Sequence, residues 1–191
     1  MLLSRMESNL NYIFTTIAVL LSFSLNAAEL EVPSKKYPDQ AIENFGWLHD
    51  YNELKPSIYV SDTAKKFITK ETLTRYVKLK LRNFVSNLKV NENIVDSGFK
   101  YNYLSVSLEL DKYNDKQKIY TGLLSFRVEA SINRTNRVKL YKLTKSIAGS
   151  ENQMLGFIKE DIDQMVEFFA EDYYYISDEL EKHNKALKSD S

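Results

Sequence analysis

Apolar residues recur along this chain in two distinct periods. From Lys70 to Leu88, Leu73, Tyr76, Val77, Leu81, Phe84 and Leu88 follow spacings of three and four with no Gly or Pro among them, which predicts an amphipathic helix. Its opposite face carries Arg75, Lys78, Arg82 and Lys89. Ser57 to Val60 is a short strand candidate ahead of it. The period then changes to two. Leu104, Val106, Leu108 and Leu110 alternate with Ser105, Ser107 and Glu109. After a polar turn at 111–118, Tyr120, Leu124, Phe126, Val128, Ala130 and Ile132 alternate with Thr121, Ser125, Arg127, Glu129 and Ser131. Both runs predict strands buried on one side. A third strand, 138–147, slips out of alternation between Leu140 and Tyr141, as a bulge or an edge would.

The helical period returns from about Gln153 to Leu180, with Leu155, Ile158, Ile162, Met165, Val166, Phe169, Tyr173 and Ile176 in one stripe. Two one-sided helices and a sheet with one apolar face predict an α+β domain. The expected form is a three- to four-stranded antiparallel meander with both helices on one face, in the order β-α-β-β-β-α. The domain is expected over residues 57–181, followed by a disordered tail at 182–191.

The segments before the domain follow other rules. Arg5 precedes Ile13 to Leu25, an uncharged apolar run, and then Asn26-Ala27-Ala28-Glu29. This is the layout of a signal peptide over residues 1–28, cut after Ala27 or Ala28, although Leu25 or Asn26 then occupies a position that usually holds a small residue. A retained anchor is the alternative, but the apolar run would span only roughly 20 Å of a hydrocarbon core about 30 Å thick. With no cysteine, neither a lipid-bearing cysteine nor a disulfide framework is expected. About 160 residues would remain as a soluble periplasmic protein, and the wealth of Lys, Asn, Ile and Tyr fits a low-GC Gram-negative host. Asn133-Arg134-Thr135 matches a glycosylation sequon, which has meaning only in a eukaryotic host. Residues 29–56 hold all three prolines and are expected to form an extended arm. Within the arm, Phe45-Gly46-Trp47 is too aromatic for a solvated linker: Trp47 either folds back as a lid or is offered to a partner.

Candidate chemistry is sparse. The histidines are His49 and His183, one in the arm and one in the tail, and no phosphate loop, nucleophile elbow or zinc-protease motif occurs. Asp111, Asn114 and Asp115 lack the glycine and distal glutamate of a calcium loop and are expected to be turn residues. Asp161 and Asp163 lie in a helix acidic throughout, the pattern of a solvated face. No catalytic residue, cofactor or metal is expected, and a net charge of zero gives no global field for nucleic acid.

Charge is nonetheless segregated, with the first helix basic and the last acidic. Either the two attract each other across a shared groove, or the basic face meets anionic lipid headgroups or an acidic partner. A second stripe on the last helix, Phe157, Phe168 and Tyr175 with Tyr174 nearby, exceeds what one sheet can cover; the arm or a partner would cover it. The residues expected to bind an envelope partner are therefore Phe157, Phe168, Tyr174, Tyr175, Arg75, Lys78, Arg82 and Trp47.

The run Glu71 to Arg82 resembles the LRxxVELRLR helix of a widespread group of exported, uncharacterised bacterial proteins. The resemblance continues through Tyr103-Leu104-Ser105-Val106 and Tyr120 to Val128, and ends in Ile158 to Tyr173, similar to that group's IREAVxxxVDxFINDYL ending. Where those relatives carry a Trp-Ser-Ser/Thr-Gly element, Lys142 to Gly149 has no Trp. The element order also looks like the amino-terminal domain of TolB, which binds other envelope proteins. The resemblance implies an exported location and this architecture only; the missing catalytic set beside surplus aromatic surface leads to the expectation of a periplasmic, non-enzymatic binding or accessory protein. An immunity protein against a toxin, a hydrolase acting on envelope material, and a lipid binder with a cavity between helices and sheet are the competing readings.

Overall fold

The computed structural model describes Leu48 and residues 52–91, 102–131 and 137–189. The expected signal peptide, Trp47 and most of the arm, and the sequon lie outside these residues. Among the described residues the strands are β1 (Glu53–Val60), β2 (Lys89–Val90), β3 (Asn102–Asn114), β4 (Ile119–Ser131) and β5 (Arg137–Ser150); the long helices are α1 (Lys70–Phe84) and α2 (Glu151–Ser189), and Ala64–Lys66 forms a single 3-10 turn. The strands form one sheet in the order β2-β1-β3-β4-β5. β3, β4 and β5 are the expected antiparallel meander. β1 lies parallel to β3, with Val60 opposite Leu108, and parallel to β2, so the sheet is mixed rather than purely antiparallel. An intervening helix permits a parallel return that a tight turn cannot make.

β1 begins at Glu53 rather than Ser57 and so includes Pro56. The Lys89 and Asn91 amides donate to the Asn52 and Leu54 carbonyls, so even-numbered residues of β1 point to the β2 edge. Pro56 shares that direction, beyond the two pairs made with β2, where its missing N–H costs no ladder bond.

The meander keeps the predicted alternation. Leu104, Val106, Leu108 and Leu110 are buried against the helices, and Ser107 faces the other way with its hydroxyl 2.7 Å from that of Ser125. The slip in β5 is a bulge: Val128 pairs with Tyr141 and Glu129 with Lys139, leaving Leu140 between them. Leu140 and Tyr141 are consequently both buried.

α1 starts where Thr69, in extended conformation, accepts a hydrogen bond from the Thr72 amide. Leu73, Val77 and Leu81 are buried, but the helix stops at Phe84 instead of reaching Leu88. Phe84 is therefore exposed, while Val85 and Leu88, leaving the helix, return to the core. α2 has Met154 rather than Leu155 in its buried stripe, four residues before Ile158 instead of three. It continues to Ser189, through most of the stretch expected to be a tail. α1 packs over β1, and α2 beside it over β4 and β5, giving two layers.

Candidate functional site

α1 divides its polar residues between two sides. On the side toward α2, Lys80 pairs with Asp163 at 2.7 Å and the Tyr76 hydroxyl donates to the same carboxylate at 2.8 Å. Lys80 and Lys159 also lie over the Tyr76 ring, 5.3 and 5.8 Å from its centre. The hydrogen bond to Asp163 raises the Lys80 pKa, and burial followed by the same carboxylate raises that of Tyr76. The expected attraction between the helices is thus real, but it draws on Lys80.

Arg75, Lys78 and Arg82 do not join it. At about 100° per residue, Tyr76 and Lys80 lie roughly 100–140° around the helix from Arg75. Arg75, Lys78, Leu79 and Arg82 instead line a cleft of about 600 Å³, closed on its other side by Ser86, Leu88, Lys89 and Val90. Two guanidiniums and two ammoniums meet there, with no carboxylate among the described lining residues. Leu79 is 45% exposed in their midst. Lys89, expected on the basic face of the same helix, lies beyond the end of α1 and reaches the cleft from β2 instead.

The aromatic stripe of α2 has another fate. Phe157 packs over Gly149 of β5, its ring 2.8 Å from where a Cβ would stand. Asp161 and Gln164, on nearly the same side of the helix, both accept hydrogen bonds from Lys145 of β5. One turn beyond Phe168, Asp172 accepts from the Tyr141 hydroxyl. This flank of α2 docks along β5 and covers part of Phe157; Phe168, on the same flank, is half-buried too. Asp161, Asp163 and Asp172 are therefore bonded to the sheet or to α1, which corrects the expectation of a wholly solvated acidic face. Tyr174 and Tyr175 remain 41% and 37% exposed, with Tyr174 edge-on to buried Tyr173 at 5.7 Å.

The structure thus separates the expected set: the cations share a cleft, and the α2 aromatics belong to the other helix. Of the expected turn residues, Asp111 and Asn114 prove to lie in β3 and only Asp115 in the hairpin turn, where the Asn114 side chain accepts from the Gln117 amide and Lys112 pairs with Asp115. Among the described residues no cluster of acids and histidines has the geometry to hold a metal, and no helix is long and apolar enough to cross a membrane.

No family model and no curated protein matches this chain. Among solved structures it is similar to an uncharacterized protein, at 9% identity and TM-score 0.41 over 63% of this chain and 92% of that one. It is also similar to a minor lipoprotein from Acinetobacter baumannii, at 12% identity and TM-score 0.33 over 63% and 89%. A third is the rare lipoprotein B from Shewanella oneidensis, at 15% identity and TM-score 0.27 over 70% and 98%.

Proposed function

We propose that this chain is a non-enzymatic binding protein of the bacterial cell envelope, and that its binding surface is the cleft between α1 and β2. The observation that carries this reading is the convergence of Arg75, Lys78, Arg82 and Lys89 on one concave surface, with no carboxylate among its described lining residues. Cations gathered in this way, Arg75, Arg82 and Lys89 above all, repel one another, and a surface that collects them favours an anionic partner. The export layout of the amino-terminal residues supplies the location. The half-burial of Phe157 against β5, with Phe168 half-buried as well, moves the weight of the reading from the aromatic stripe to the cations, leaving Tyr174 and Tyr175 as its remaining open part.

The test is retention in washed envelopes of the expressing cell. The wild-type chain is expected to sediment with them at low ionic strength and to be released by salt. A variant carrying Arg75→Gln, Lys78→Gln and Arg82→Gln is expected in the supernatant. Equal retention of both proteins would remove the cleft from the function.

A further inference from the structure

We infer that the occupant of the α1–β2 cleft is the phosphate headgroup layer of an anionic membrane, with Leu79 at the boundary between headgroups and acyl chains. This rests on the binding role proposed for the same cleft. Three features of the surface point to lipid rather than to a free anion or a protein strand.

The first is the mixture of side chains. Arg75 and Arg82 offer planar forks suited to phosphate oxygens, and Lys78 and Lys89 add ammoniums on long apolar stems. Between them stands Leu79, 45% exposed, with Leu88 and Val90 in the adjoining wall. A free phosphate gains nothing from Leu79. A membrane surface uses both halves, because basic side chains reach the headgroups while their stems and the leucine cover the apolar boundary.

The second is the sheet edge. β2 has two residues, and one of them is Lys89. A short, charged edge strand discourages the addition of another chain's strand, the usual way for a peptide to dock beside a sheet.

The third is polarity. The whole chain is neutral, so no net field draws it to an anionic surface. Exposed Glu160, Glu167, Glu171 and Asp178 lie on α2, whereas the cleft lies on the other helix. An anionic membrane attracts one part of the molecule and repels the other, which fixes the side presented.

The experiment is co-sedimentation of the purified full chain with vesicles of phosphatidylcholine, pure or mixed with phosphatidylglycerol. The ratio of the two partition coefficients cancels any uncharged contribution from the apolar amino-terminal run. The wild type is expected to favour the mixed vesicles, less so as salt rises. The triple Gln variant at 75, 78 and 82 is expected to lose about two orders of magnitude of that preference, at roughly fivefold per cation. A control triple, Lys116→Gln, Lys139→Gln and Lys142→Gln, removes the same charge from the β3–β4 turn and from β5, at the far edge of the sheet, and is expected to keep it. Leu79→Ser is expected to weaken binding to the mixed vesicles without altering its salt dependence. Because Lys78 is half-buried, the double variant Arg75→Gln/Arg82→Gln, checked by circular dichroism, guards against a folding defect.

Equal partition into both vesicle types, or equal losses in the two triple variants, would overturn the inference. So would displacement from the mixed vesicles by inorganic phosphate at matched ionic strength, which identifies a free-anion site. Self-association abolished by the cleft variant would also overturn it, since α2 of a second copy would then be the occupant. If washed envelopes retain the chain through the cleft while vesicles do not, the binding role stands and the occupant is an envelope protein.

Discussion

Asp172 illustrates how much a single acid can depend on its neighbours. It lies 1% exposed on α2, and the Tyr141 hydroxyl donates to it at 2.9 Å. A buried carboxyl is tolerated only when its oxygens are bonded, and removing one donor typically costs about 1–3 kcal/mol. Tyr141→Phe is therefore expected to lower stability at pH 7 by about that amount. The same pair creates a pH dependence of known sign. Burial, and then the Asp172 charge, push the Tyr141 phenol well above its usual range. Below about pH 10 the folded and unfolded chains both carry the proton, so the full contribution is present. Above that pH the unfolded chain loses the proton while the folded one keeps it, and stability falls as pH rises toward the folded-state pKa. Tyr76 and Tyr173 are raised as well, so some decline will persist without Tyr141. Urea midpoints at neutral and alkaline pH should show Tyr141→Phe weaker at pH 7 but with a shallower alkaline decline. An unchanged decline would show that the buried phenol does not set it.

At the scale of the element, α1 serves stability on one side and binding on the other, and the two can be separated. Lys80→Met removes the partner of Asp163, whose side chain is 37% exposed, and water screens a pair of this kind. Its expected cost is at most about 1 kcal/mol, diminishing with salt, with envelope retention intact. Arg82→Gln should do the reverse: an unchanged urea midpoint and weaker retention. A cost in stability from Arg82→Gln equal to that from Lys80→Met would erase the distinction. Much of this helix was legible in advance, because Leu73, Val77 and Leu81 recur at helical spacing and Arg75, Lys78 and Arg82 recur opposite them. Its end was not, because Val85 and Leu88 continue the apolar pattern after the backbone has left the helix. The same limit applied to α2, where Met154 and Leu155 are adjacent apolar residues and only packing selects the first. The alternation in β3, β4 and β5 revealed one buried face and even the bulge at Leu140, since a period of two leaves no freedom of phase. It carried no information about neighbours, so the parallel seat of β1 and the edge position of Lys89 awaited the fold. The half-burial of Phe157 was hidden for a related reason: it depends on Gly149, which reaches it through the turn of the chain from β5 into α2.

Across the whole molecule, the pairings differ greatly in the loop each must close. Tyr120 pairs with Lys112 across a short hairpin turn, whereas each β1–β3 pair joins residues 48 apart, as Val60 does with Leu108. Closing a longer loop costs more chain entropy before any contact rewards it, so local pairings form preferentially in the transition state. The β3–β4 hairpin should therefore be largely assembled there, with β5 following because few residues separate it from β4. β1 would dock later, bringing α1 and the β2 edge with it, so the cationic cleft is the last feature to be completed. Two buried residues test this order: Leu124 in β4, 0% exposed, and Ile58 in β1, 7% exposed. Truncating either to Ala removes comparable apolar volume and is expected to cost about 2–5 kcal/mol at equilibrium. Their kinetics should differ. Leu124→Ala is expected chiefly to slow folding, with a φ-value of about 0.5 or more, and Ile58→Ala chiefly to speed unfolding, with a φ-value of about 0.3 or less. Stopped-flow chevrons of the two variants read this directly. A high φ-value at Ile58 would mean that the parallel seam forms with the hairpin, and that the cleft is built into the folding nucleus rather than added to it.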